Sequence, residues 1–392
     1  MKYNFDQIID RSGTQAIKVE SLEINFGRTD LIPMWVADMD FKSPQPIIDA
    51  LLKRVEHGIF GYTKPSQEYC DSIVNWLKNR HDWHIQQEWA NFIPGIVKGI
   101  AFVIDCFTQK GDGIVIQPPV YHPFRITTEL HNRQVVNNPL KLEAGEYKMD
   151  LEDLEKKLDS TSKVLVLCNP HNPGGRVWTR EELVNLAEIC DKHNILVISD
   201  EIHSDLAYEN DGHKHIPYAS VSEKAAQHSI TFMAPSKTFN IAGIVSSFAV
   251  IPNENIRQKF HAYLEASELQ QGHIFAYTAT EAAYNKCGEW LDEAKQYIWD
   301  NIQFVDNYLK ENIPQIKAMI PQASFLVWLD CRELGLTQEE LNHLFVDDAK
   351  LALNSGTTYG PGGEGFMRLN VGCPRSIIEK ALNNLKKAIS SR

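Results

Sequence analysis

An amine, a carboxylate, an imidazole, a carboxamide and a flat aromatic ring each follow directly on a short apolar, β-branched run. Lys237, with Ser236 before it, closes the run that begins at Ile230; Asp200 ends ILVISD (195–200), with His203 shortly after it. Asn169 and Asn172 follow KVLVLC (163–168) in NPHNPGG, and Tyr121 follows GIVIQ (113–117) in PPVYHPF. A further feature lies upstream: the Pro94-Gly95 turn precedes an apolar helix opening at Ile96 and Val97, whose backbone N–H groups suit a phosphate dianion. Taken singly, each residue has an ordinary structural role open to it, as a cap, a core aromatic or a turn. As an ordered set they suit an aromatic cation that carries a phosphate and an aldehyde, namely pyridoxal phosphate. The lysine forms a Schiff base, the carboxylate pairs with the protonated ring nitrogen, and Tyr121 stacks on the ring for a gain on the order of 1 kcal/mol. Asn172 donates to the ring's phenolate oxygen, His203 reaches the same edge, and Ser236 offers a hydroxyl beside the lysine.

The elements that must hold these groups follow from the pattern. Strand-like runs separated by helix-length stretches predict an α/β fold with a mostly parallel central sheet, and in such sheets ligands bind beyond the carboxyl ends of the strands. One crossover helix is well marked: Thr179 and Glu182 form a capping-box pattern, with Leu183, Leu186, Ala187 and Cys190 on one face. After about residue 285 the pattern changes to a long helix stopped by Pro314, a strand in ASFLVWLDC (323–331), a capped helix from Thr337, a strand around FMRLNVG (366–372) and a last helix with Ile377, Ala381, Leu385 and Ala388 on one side. The expected division is a large cofactor domain over 46–284 and a smaller α+β domain from 1–45 together with 285–392. The loop-rich amino-terminal arm is expected to pack outside the central sheet.

The chain has 392 residues and a formal net charge of −12, the wrong sign for a protein held by nucleic-acid phosphates or anionic lipid. No apolar run approaches the ~20 residues of a spanning helix, and the amino terminus lacks signal-peptide order. The expectation is a soluble cytoplasmic protein that binds neither nucleic acid nor membrane. Seven scattered cysteines with no C-x-x-C pair fit free thiols in a reducing compartment. His213 and His215 in NDGHKHIP are expected in a solvated loop, without the cysteine spacing of a zinc site, so no metal is expected.

The runs NPHNPGG (169–175), SDEIHSD (199–205), SKTFNIAG (236–243) and MRLNVG (367–372) together resemble the fold type I pyridoxal-phosphate enzymes, the aminotransferase-like group. The resemblance implies that Lys237 is the Schiff-base lysine, Asp200 the pyridinium partner, Asn172 the donor to the ring oxygen and Arg368 the clamp for the substrate α-carboxylate. An arginine suits that role because its planar fork meets a carboxylate in two parallel hydrogen bonds. It also implies a homodimer in which Tyr62, in FGYTKP, reaches the cofactor phosphate of the neighbouring subunit. LIPMWVADMDF (31–41) and the His203 loop are similar to the cystathionine β-lyase or C–S lyase branch. Ala234 and Val245 stand where most aminotransferases of this fold carry a phosphate-binding serine and arginine, which leaves more of the phosphate to Ile96 and Val97.

The expected reaction is β-elimination from a sulfur amino acid such as cystathionine, cysteine or cystine, giving a thiol, pyruvate and ammonia. An aminotransferase uses the same residues through proton removal and is the alternative; a regulatory protein on the same fold is a further one. A dinucleotide-binding oxidoreductase would need G-x-G-x-x-G after the first strand, which neither NPHNPGG nor PGIVKG supplies. Trp35, Tyr359 and the glycine-rich segment 355–365 are candidates for reading the rest of the substrate.

Overall fold

The computed structural model describes residues 2–209 and 212–391. Among these, seven strands form the central sheet in the order Ala90–Ile93, Ser247–Val250, Ser229–Met233, Leu196–Asp200, Ser162–Cys168, Gly113–Ile116, Gln134–Asn137. Ser247–Val250 runs antiparallel to both neighbours, and the other pairings are parallel. The runs read as strands from the sequence are the inner strands, where both faces are covered and near-continuous apolar sequence is required.

Side chains alternate across this sheet with the strand period. Ile114, Ile116, Val164, Val166 and Ile198 face one core with helix Ile96–Phe107, whereas Val115, Leu165, Leu167 and Val197 face another with helix Arg180–Lys192. That second helix carries a complete capping box: Thr179 accepts from the Glu182 N–H and the Glu182 carboxylate accepts from the Thr179 N–H.

The carboxyl-terminal part builds an antiparallel sheet from Lys317–Met319, Leu326–Asp330, Phe366–Asn370 and Asn354–Ser355. It packs with the long helix Gly288–Asn312 and the last helix Arg375–Ser390. On that last helix Ile378, not the expected Ile377, is the fully buried isoleucine, together with Ala381, Leu382, Leu385 and Ala388. The amino-terminal arm lies outside the central sheet, as expected. Ile32–Pro33 pairs in parallel with Leu351–Ala352, and Phe5 packs on Phe41, Trp290 and Tyr297.

One expectation about loops is corrected. His215 is not solvated: it is 1% exposed, with Nε2 2.7 Å from the buried Glu201 carboxylate, because that carboxylate needs a donor once out of water. Asn210 and Asp211 of the same stretch lie outside the described residues. The segment 355–365 is closely packed at one point. Gly356 and Gly363 touch backbone to backbone, and a Cβ on Gly356 would sit 1.9 Å from the Gly363 carbonyl oxygen. Gly356→Ala should therefore lower the unfolding free energy by about 2 kcal/mol or more in urea titrations; a loss below about 0.5 kcal/mol would mean that the two segments part freely.

Candidate active site

The carboxyl ends of the parallel strands, the start of helix Ile96–Phe107 and the amino-terminal arm converge on one cavity of about 120 Å³. Of the residues expected from the sequence, Ile96, Val97, Tyr121, Asn172, Asp200, His203 and Lys237 line it. Ala37, Cys168 and Ile202 also line it and were not foreseen. Cys168 reads as a core thiol from sequence, and only its place at a strand end beside Asn169 hinted otherwise. Register explains the convergence: Asp200 pairs with Cys168 on one side and with Phe232 on the other, so the residues that follow those two strands arrive at the same edge.

Burial governs the electrostatics. Asp200 is 5% exposed; burial pushes its pKa from an ordinary 3.8 up to about 7, against the opposing pull of the Ile202 N–H that its Oδ1 accepts. Lys237 is half-buried at the cavity wall, and desolvation pushes its amine from 10.5 down to about 8, with Asp38 and Asp200 pulling upward and Arg368 downward. Its Nζ donates to the Ala37 carbonyl oxygen. His203 is driven to about 3 by burial first and then by the Lys237 and Arg368 charges, so the ring is neutral, and its buried Nδ1 has no partner in the protein. The helix starting at Ile96 has no side-chain cap; Gly95 precedes it at φ +105°, a conformation glycine adopts without strain.

Arg368 is buried in strand Phe366–Asn370 next to the cavity. Its Nη1 donates to Asn172 Oδ1 at 3.1 Å; its Nη2 donates to the Trp35 carbonyl at 2.7 Å and to Asn354 Oδ1 at 2.9 Å. The guanidinium lies over the Tyr359 ring, and its Nε is buried without a partner, as is the Tyr359 hydroxyl.

Besides Arg368, four expected residues do not line the cavity. Trp35 sends its indole N–H to the Lys18 carbonyl and its ring against Phe26, so only its backbone oxygen reaches the Arg368 cluster. Tyr359 packs behind Arg368 against Trp328. Ser236 is buried in the Pro235–Thr238 turn. Tyr62 is fully exposed, at 107%, and borders a separate groove with Tyr69 and Tyr277. Val245 packs beside Gly95 at the helix start: a Cβ on that glycine would sit 3.8 Å from Val245 Cγ1.

Residues 29–385 match the family described as aminotransferase class I and II. The chain belongs to that family. Cystathionine beta-lyase PatB of Bacillus subtilis (strain 168) is 47% identical over 388 residues, covering 99% of this chain and 100% of PatB. The crystal structure of cystalysin from Treponema denticola, which contains a pyridoxal 5'-phosphate cofactor, superposes with a TM-score of 0.96 at 35% identity and covers 100% of both chains. The PLP-bound C-S lyase from Staphylococcus hominis gives 0.90 at 33% identity, covering 99% of this chain and 98% of that one.

The two shifted pKa values have opposite consequences for the cofactor-free fold. Between 3.8 and about 7 the folded chain keeps a proton on Asp200 that the unfolded chain releases, so this contribution to stability falls as pH rises. Between about 8 and 10.5 the unfolded chain keeps a proton that folded Lys237 has lost, so that contribution rises with pH. Asp200→Asn, freed of the buried charge, should raise the Tm of the cofactor-free protein at about pH 8 and lose that advantage near pH 4. An equal Tm difference at both pH values would contradict the raised carboxyl pKa.

Proposed function

We propose that this protein is a pyridoxal-phosphate-dependent C–S β-lyase acting on cystathionine or a related sulfur amino acid such as cysteine or cystine. The observation that carries the reading is the pairing of one buried carboxylate with one pKa-lowered lysine in a cavity entered by an uncapped helix start, in a chain 47% identical end to end to a cystathionine beta-lyase. The donor set suits the cofactor. The amides at Ile96 and Val97 would meet the phosphate, Asp200 the ring nitrogen, Asn172 the ring oxygen, Tyr121 the ring face and Lys237 the aldehyde carbon. The orphaned His203 Nδ1 adds a polar atom whose burial is costly unless a ligand meets it.

Bound there, pyridoxal phosphate supplies an electron-accepting ring that stabilises negative charge at the substrate α-carbon. Lys237, with its amine near pKa 8, is neutral often enough at neutral pH to take the α-proton onto Nζ. The Ala37 carbonyl accepts from that amine and orients it. Arg368, held beside the cavity through both Nη atoms by Asn172, Trp35 and Asn354, would hold the substrate carboxylate. In the overall reaction cystathionine and water give homocysteine, pyruvate and ammonia. The full-length likeness to C–S lyases favours this outcome over transamination, which shares the same residues.

Tyr62 fits a role across a dimer. Leu52, Val55, Ile59 and Phe60 are exposed alongside it, an apolar strip of the kind a second copy covers. We assign 46–284 to the cofactor domain and the two chain ends to the small one, a division supported by the pairing of the arm with Leu351–Ala352. Among the described residues no helix is long and apolar enough to cross a membrane. A cytoplasmic setting is supported by seven free cysteines.

With cystathionine alone the protein should release pyruvate and thiol; product that appears only after a keto acid is added would establish transamination instead. Lys237→Ala should abolish both turnover and the borohydride-reducible visible band. Mixing Lys237→Ala chains with Tyr62→Ala chains should restore about a quarter of wild-type activity, since half the dimers then hold one intact site of two. No restoration on mixing would place Tyr62 outside the neighbouring site.

A further inference from the structure

The side chains next in sequence to Asp200 and Lys237 do not line the cavity; they enter one buried polar chain behind it. Glu201, fully buried, accepts from Ser199 Oγ at 2.7 Å and from the Tyr218 N–H at 2.8 Å, with His215 Nε2 at 2.7 Å. Asp205, also buried, accepts from Thr238 Oγ1 at 2.8 Å and Trp76 Nε1 at 2.9 Å, with His81 Nε2 at 2.8 Å. The His81 and His215 rings meet edge to face, centroids 5.3 Å apart at 87°. A continuous path therefore runs from Asp200 through Glu201, His215, His81, Asp205 and Thr238 back to Lys237.

Two ionisable groups at each end of this path are expensive to bury, and well-packed apolar side chains of the same volume would commonly serve stability as well or better. What directed hydrogen bonds add is a single geometry. Here they tie the four-residue turn Pro235–Thr238 to Asp205 and His81 on one side, and His215 to Glu201 at the end of strand Leu196–Asp200 on the other, and the His81–His215 ring contact joins the two halves. We propose that Asp205 and Glu201 are positioning residues which, linked through His81 and His215, set the amine of Lys237 relative to the carboxylate of Asp200. The inference rests on the reading of Lys237 and Asp200 as the cofactor's partners. It adds residues that touch neither cofactor nor substrate.

The charges facing Asp205 from the other elements are Arg80 and Lys295, themselves opposed by Glu209 and Asp292. They are untouched by the substitution chosen as the test. Thr238→Val keeps the side-chain shape and removes one donor to Asp205. In the holoenzyme we expect kcat to fall about tenfold with KM within about twofold, and the pH midpoint of the visible cofactor band to move by about half a unit. Thr238→Ser, which restores the hydroxyl, should return both values to wild type. His81→Gln keeps a donor for Asp205 but loses the ring that faces His215. It should move the midpoint in the same direction, and the double variant should move it by less than the sum of the two shifts.

A folded Thr238→Val protein with wild-type kcat and band midpoint, or a serine variant no better than the valine one, overturns the positioning role. If the valine variant does not fold, an unchanged midpoint in His81→Gln overturns it; if it folds, additive shifts in the double variant overturn the coupling of Thr238 and His81 through Asp205. Absence of any lysine-dependent visible band in the wild-type protein would instead refute the cofactor reading, leaving the two failures distinguishable.

Discussion

The site depends on holding a carboxyl and an amine together out of water. In bulk solvent Asp200 and Lys237 would both be charged near neutrality; in the cavity burial drives the acid to about 7 and the amine to about 8. Neither shift needs a special neighbour, because desolvation is the leading cause of each. An amine whose pKa lies near physiological pH, beside an acid whose charge is available to a cationic partner, suits the role of general base proposed for Lys237. That condition exists only because strands Leu196–Asp200 and Ser229–Met233 are adjacent and in register, with helices covering both faces.

The amino-terminal arm completes the enclosure through its backbone. Successive carbonyls from Trp35 to Asp38 accept from Arg368, Asn370, Lys237 and, at Asp38, from both Asn370 and Lys18. Within the arm, Arg11 and the buried Lys18 form ion pairs with Asp38 and Asp40. Buried pairs of this kind contribute little net stability but are costly to break singly, so they fix the arm's own fold around residues 35–38. The lysine proposed as base and the arginine proposed as carboxylate clamp are thus oriented by one short segment from the far end of the chain.

Behind the cavity lies a second set of buried polar groups that do not line it. Glu201 and Asp205 flank the His203 loop in sequence; the histidine partner of Asp205 comes from the distant helix Gln67–His81, and that of Glu201 from the loop fourteen residues further on. The same short run, DEIHSD, therefore feeds both the cavity and the network that braces it.

Much of the site was legible in the sequence because its groups sit at strand ends, and strands announce themselves by β-branched runs. Lys237, Asp200, Asn172, Tyr121 and the Ile96–Val97 helix start could be gathered on one edge from strand order alone, since a parallel sheet sends all its carboxyl ends the same way. The capping boxes at Thr179 and Thr337 were readable for the same reason, being local. Groups that act through backbone atoms or through long-range pairing were not. The Ala37 carbonyl carries no residue-type signal, the indole of Trp35 turns away while its oxygen serves, and His215 looked solvated until Glu201 was found beneath it. Composition and local pattern determined the fold class and the chemical inventory of this protein. Which atoms meet, and at what pKa, was decided only by tertiary packing, because burial and hydrogen-bond geometry depend on segments hundreds of residues apart.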